Sequence, residues 1–210
     1  MRRPLLLLLV LLLAACEATS STAQFSAGLE PGEDGWRGSP LELDATIPDV
    51  TLIDTDGEEL ALPEATLGTP TLLFFGYASC PDICPIHLAA IASAIEQTDV
   101  RYTEIDVVFV SVDPERDTPE RIDDWLAGFD RRFIGLTGEM DTIEAALDAL
   151  QLPGPYVEGA DPRDEGQELI GHPAQVIGFD ADGKVQRVWP FGTRRADWIA
   201  DLPRIVEEWA

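Results

Sequence analysis

The run Thr71-Leu72-Leu73-Phe74-Phe75-Gly76-Tyr77 carries no charge and ends three residues before the first of two closely spaced cysteines, Cys80 and Cys84. A continuous apolar run of this length predicts a strand covered on both faces rather than one with a wet side. Ile105 to Val112 predicts a second buried strand. Between them, Pro85 to Gln97 places Ile86, Ala89, Ala90 and Ala94 at helical spacing. Thr118-Pro119-Glu120 then opens another helix, with Thr118 as the cap and Pro119 at the first helical position.

The same signals extend in both directions. Val50 to Ile53 and Glu59 to Leu62 flank Asp56-Gly57, and Gln175 to Phe179 and Val185 to Trp189 flank Asp182-Gly183. Each pattern predicts a hairpin. Phe133 to Leu136 predicts a short strand and Asp141 to Leu150 a helix. Arg195 to Trp209 predicts an amphipathic helix that Pro203 interrupts. Strands alternating with helices imply an α/β layer fold, and the final hairpin before a helix makes the sheet mixed. A cysteine pair directly after the first buried strand, at a helix start, points to a thioredoxin-like arrangement: a central mixed sheet flanked by helices.

The cysteine loop carries the chemistry. In Cys80-Pro81-Asp82-Ile83-Cys84 the two thiols stand at C-x-x-x-C spacing before a helix, whose free N–H groups and partial positive charge favour thiolate. Paired thiolates prefer soft ions, Cu(I) above all, over Mg and Ca. A structural zinc site needs four protein ligands, and with Cys16 set apart the chain could supply them only by using both cysteines and both histidines, His87 included. His172 lies before a predicted strand whose loop returns to the cysteine loop in a thioredoxin-like fold. It is the candidate third ligand. His87, three residues after Cys84, is expected to be a surface or capping residue.

The charge balance excludes one class of function. Against 39 acidic residues stand 14 basic ones, of which Lys184 is the single lysine. A nucleic-acid site needs a basic footprint, so no nucleic-acid partner is expected. The acid is read as a solvated surface.

These motifs resemble the SCO/SenC family of copper-binding cytochrome c oxidase assembly proteins. The resemblance runs from about Ile47 to the C-terminus. It rests on Phe75-Gly76-Tyr77 leading into Ser79-Cys80-Pro81-Asp82-Ile83-Cys84-Pro85, on Val110 to Glu120, on Gly135-Leu136-Thr137-Gly138, and on His172 before a strand and an Asp-Gly turn. It implies copper, Cu(I) or Cu(II), held by Cys80, Cys84 and His172. It also implies delivery to the binuclear copper centre of cytochrome c oxidase subunit II, with other copper chaperones as further partners. Asp113 and Asp117 fall near the site, where they either cap a strand-to-helix connection or support the ligands from behind. Two departures stand out. Pro173 occupies a position where the family more often has a small or hydroxyl residue, and proline fixes the backbone beside the imidazole. The acidic stretch Glu158 to Glu168 is read as a variable loop.

Two other activities compete with copper delivery. A thiol-disulfide oxidoreductase would cycle Cys80 and Cys84 between dithiol and disulfide and reduce the partner's cysteines. Dedicated reductases of this fold, however, use C-x-x-C. A peroxidase would place Thr or Ser three residues before its reactive cysteine, where this chain has Tyr77. The chain is therefore read as a metallochaperone rather than an enzyme, with redox activity of the cysteine pair as the alternative.

The N-terminus carries an export signal. Arg2 and Arg3 precede Leu5 to Leu13, nine apolar residues, too few to span a bilayer but suited to a signal-peptide core. Leu13-Ala14-Ala15-Cys16 resembles a bacterial lipobox, which implies cleavage after residue 15 and lipidation of Cys16. Residues 16–46 are rich in small and polar side chains and read as a lipid-anchored tether, with Trp36 and Leu41 to Leu43 as the part placed to dock. The domain proper is expected over 47–210, exported and held at the membrane on the periplasmic or extracytoplasmic side. Mass spectrometry of membrane-extracted protein should show an acylated N-terminal Cys16, and Cys16→Ser should release the domain or leave the precursor uncleaved. A wild-type protein trimmed after residue 15 with an unmodified Cys16 would contradict this.

Overall fold

The computed structural model describes residues 29–101, 103–164 and 167–210. The signal segment, Cys16 and the first part of the tether lie outside the described residues. Ten strands and five helices follow one another: β1 (Ser39–Pro40), β2 (Thr51–Asp54), β3 (Glu59–Ala61), α1 (Leu62–Thr66), β4 (Thr71–Gly76), α2 (Ile83–Gln97), β5 (Asp106–Ser111), α3 (Pro119–Leu126), β6 (Ile134–Thr137), α4 (Met140–Ala149), β7 (Tyr156–Ala160), β8 (Glu168–Gly171), β9 (Val176–Phe179), β10 (Val185–Trp189) and α5 (Arg195–Trp209), all among the described residues.

Eight of the strands form one mixed sheet in the order β1-β10-β9-β4-β5-β6-β2-β3. β4, β5 and β6 run parallel, and every other pair is antiparallel. Every residue of β4 is buried, as its uninterrupted apolar run requires. The parallel pairs are joined by helical crossovers, because parallel neighbours cannot be linked by a tight turn. α2 packs beside α5. α3 sits over β6, where Ile122 and Leu126 approach Gly135 so closely that a Cβ there would collide with both. Thr118 caps α3 by accepting from the Arg121 N–H, a contact of about 1 kcal/mol.

The expected elements are all present; α1 was not expected and takes Leu62 from the predicted strand, and four further differences stand out. α2 starts at Ile83, so Pro85 falls inside its first turn, where a missing N–H costs nothing. α5 continues through Pro203 instead of breaking there. Its buried side is held by Trp198, Leu202, Ile205 and Trp209. The stretch read as a variable loop belongs to a two-stranded hairpin, β7–β8, separate from the main sheet. Finally, the packed body begins before residue 47. β1 pairs with β10, and Trp36 is buried, stacked on Trp209. Asp201, fully buried, accepts from the N–H groups of Arg37 and Gly38 and from the Trp189 indole, pinning this early segment to α5.

The arrangement of strands decides where the site lies. β4 and β5 end together, at Gly76 and Ser111. β9 runs antiparallel beside β4, with Val176 opposite Phe74. The loops after β4, after β5 and before β9 therefore meet at one end of the sheet, the carboxyl end of its parallel strands, where open α/β sheets place ligands.

Candidate metal centre

Cys80 lies in the loop after β4, and Cys84 is the second residue of α2. The loop is held by contacts from three directions. Asp117 is buried and accepts hydrogen bonds from the Ala78 N–H at 2.8 Å and the Ser111 hydroxyl at 2.7 Å. The Tyr77 hydroxyl accepts from the Ile170 N–H at 3.2 Å, tying the loop to β8. Arg121 donates to the Ser79 hydroxyl at 2.7 Å and lies 3.4 Å from Asp117. Of the two roles open to Asp117, bracing the site loop is the one its contacts serve, and burial pushes its carboxyl above the usual range. Asp113 pairs with Arg116, whose guanidinium lies over the Tyr77 ring.

The two sulfurs differ in surroundings. Cys84 is fully buried behind Gly76, and a Cβ on Gly76 would sit 2.5 Å from its sulfur, so only glycine leaves room for it. Cys80 lines an open pocket together with Tyr77, Asp82, Tyr156 and His172. The Cys84 N–H points to the Cys80 sulfur at 3.5 Å. A hydrogen bond from the Cys84 thiol, with further help from the backbone N–H groups of Cys84 and Asp82, brings Cys80 down to about 4. Burial pushes Cys84 in the opposite direction, and its hydrogen bond to Cys80 adds to that. The pair therefore shares one proton at neutral pH, with the charge on the sulfur that faces the pocket.

His172 arrives from the loop before β9. Its Nε2 lies 3.7 Å from the Cys80 sulfur and 3.5 Å from the Cys84 sulfur. Its Nδ1 is 2.9 Å from the Pro173 carbonyl, which can only accept, so Nδ1 carries the proton and the Nε2 lone pair faces the sulfurs. Pro173 does not turn the imidazole away; its carbonyl fixes the tautomer a metal needs. The Tyr77 and Phe74 rings flank the imidazole edge-on. The three candidate donors lie within 4.8 Å of one another, and no fourth Cys, His, Asp or Glu joins them among the described residues. Two sulfurs and one nitrogen suit a soft ion, and a three-donor set leaves a coordination position open to an incoming ligand.

His87 departs from expectation. It is fully buried, one turn after Cys84, and its Nε2 lies 3.0 Å from the Ala174 carbonyl. Burial lowers it to about 4 and keeps it neutral. The spacing Cys84, His87, Leu88, Ile91, all buried, carried that information; the prior that a lone histidine is exposed hid it. The contacts of Arg121, Tyr77 and Ile170 had no local sequence signal, since each joins segments far apart in the chain.

Comparison with known proteins agrees with this geometry. The SCO1/SenC family model matches residues 39–207. An SCO2-like protein of Rickettsia felis is 35% identical over 136 residues, 65% of this chain and 65% of that protein. The chain thus spans just under two thirds of this relative. Protein SenC of Rhodobacter capsulatus is 40% identical over 111 residues, 53% of this chain and 48% of the relative. The copper-bound structure of ScoI from Bradyrhizobium japonicum superposes with a TM-score of 0.63 at 29% identity, covering 80% of this chain and 98% of that one. The shared fold is thioredoxin-like.

The unequal thiols make a direct prediction. Limited alkylation of the metal-free dithiol protein should label Cys80 ahead of Cys84. The rate should stay level from neutral pH down to about pH 5 and fall as pH approaches 4, because the thiolate is the reacting form. Equal labelling of both cysteines, or a rate that already falls below about pH 8, would contradict the assignment.

Proposed function

The chain belongs to the SCO1/SenC family, and on that ground we propose that it is a copper chaperone holding copper through Cys80, Cys84 and His172. The observation that carries this reading is the convergence of two sulfurs and a bare imidazole nitrogen within 4.8 Å, brought together from segments almost a hundred residues apart. Copper here is cargo. The thiolate of Cys80 faces the pocket, the thiol of Cys84 backs it, and the open third side lets an incoming donor displace one ligand at a time. The recipient in this reading is the binuclear copper centre of cytochrome c oxidase subunit II, with other copper chaperones upstream. Cleavage after residue 15 and lipidation of Cys16 would hold the domain at the membrane outside the cytoplasm, on a tether through residues 16–46. No helix among the described residues is long and apolar enough to cross a membrane.

A second reading rests on the asymmetry of the thiols. An ionised sulfur at the pocket and a protonated one behind it form an attacking and resolving pair, able to reduce a partner disulfide. The two readings are compatible, since a partner's cysteines must be reduced before they take copper.

Anaerobic reconstitution of the reduced protein separates them. Wild type should bind one Cu(I) per chain, and Cys80→Ser or Cys84→Ser should abolish tight binding. Affinity should fall as pH is lowered, because protons compete for the sulfurs. Full stoichiometry in the Cys80→Ser/Cys84→Ser double mutant would rule out the copper site and leave the redox reading standing.

A further inference from the structure

The buried His87 is not used by the copper reading, yet it touches the loop that carries His172. Its Nε2 is 3.0 Å from the Ala174 carbonyl, two residues after His172. A carbonyl can only accept, so Nε2 carries the hydrogen. Its other nitrogen, Nδ1, is buried and has no hydrogen-bond partner. The ring packs against Phe74 at 5.3 Å and Phe191 at 6.0 Å, and Phe74 in turn lies 6.0 Å from the His172 ring.

A leucine would fill this space without burying an unpartnered nitrogen, which is unfavourable. What a leucine could not do is grip the Ala174 carbonyl. The grip matters because Pro173 has no N–H with which to anchor the loop. Cys84 and His87 stand one turn apart on α2, so the helix that fixes one sulfur also fixes the loop bearing the imidazole.

We propose that His87 is a positioning residue: its N–H on the Ala174 carbonyl sets the distance between the His172 imidazole and the two sulfurs. His87 does not ligate the metal. Two thiolates suffice for Cu(I), whereas Cu(II) depends more on the imidazole. Loss of the grip therefore affects Cu(II) more than Cu(I). The copper arm of the test rests on the copper reading, and a metal-free arm does not.

The test compares wild type with His87→Leu, which keeps the packing and removes the donor, and His87→Gln, whose amide can donate to the same carbonyl. All three should bind one Cu(I) per chain. His87→Leu should bind Cu(II) about tenfold or more weakly, with a shifted sulfur-to-copper charge-transfer band, and His87→Gln should restore both. In the metal-free proteins, the His172–Tyr77 ring contact seen by nuclear Overhauser effects should weaken in His87→Leu and persist in His87→Gln. Wild-type band and ring contact in His87→Leu would overturn the proposal. So would equal impairment of both variants, and so would loss of Cu(I) stoichiometry in His87→Leu, which would make His87 a ligand. If wild type takes up no copper, the copper reading fails alone and the ring contact still decides the role of His87.

Discussion

Antiparallel pairing of β9 with β4 is the contact on which the rest of the site depends. β4 ends at Gly76 and delivers the cysteine loop. β9 begins at Val176, opposite Phe74, and is preceded by His172. Because antiparallel neighbours place the start of one strand beside the end of the other, the imidazole reaches the sulfurs without a long connection. A one-residue slip in this register would exchange the two buried faces of β9 and bring a side chain to the place of Gly178, where even a Cβ would collide with Trp189 and Trp209. The burial of β4 and β9 along their whole length therefore fixes the site as firmly as any contact within it.

Around that register a few buried polar groups hold the loops in place. Asp117 braces the loop from below by holding the Ala78 N–H and the Ser111 hydroxyl. The Pro173 carbonyl holds the Nδ1 proton of His172, and the Ala174 carbonyl accepts from His87. These contacts aim lone pairs and protons toward the site. The one formal charge in the donor cluster falls on Cys80, where the pocket opens. An ion bound there is held on one side by buried protein and reached from the other.

Much of this was legible in the sequence because it is local. The uninterrupted apolar run predicted a doubly covered β4, Thr118-Pro119 predicted the start of α3, and the Asp-Gly pairs predicted the hairpins. The spacing of Cys80 and Cys84 at a helix start predicted reactive thiols, and the fold class predicted that the loop at His172 returns to them. The rest depends on distant partners. Asp117 as a brace, His87 as a buried donor, and the approach of Arg121 and Ile170 to the cysteine loop all follow from tertiary packing. The β7–β8 hairpin was obscured by its acidic, exposed residues, which break the alternation expected of a half-buried strand. Trp36 stood out in the sequence as a docking residue, but its partner Trp209, at the far end of the chain, had no local signal.

The central claim is that this end of the sheet holds one copper ion through two sulfurs and one imidazole nitrogen from a single chain. X-ray absorption at the copper edge of the protein loaded with one equivalent of Cu(II) measures that directly. The account predicts a first shell containing two sulfurs together with an imidazole, and loss of the imidazole signature in His172→Ala while it persists in His87→Leu. A shell without sulfur, or an imidazole signature that survives in His172→Ala, would contradict it.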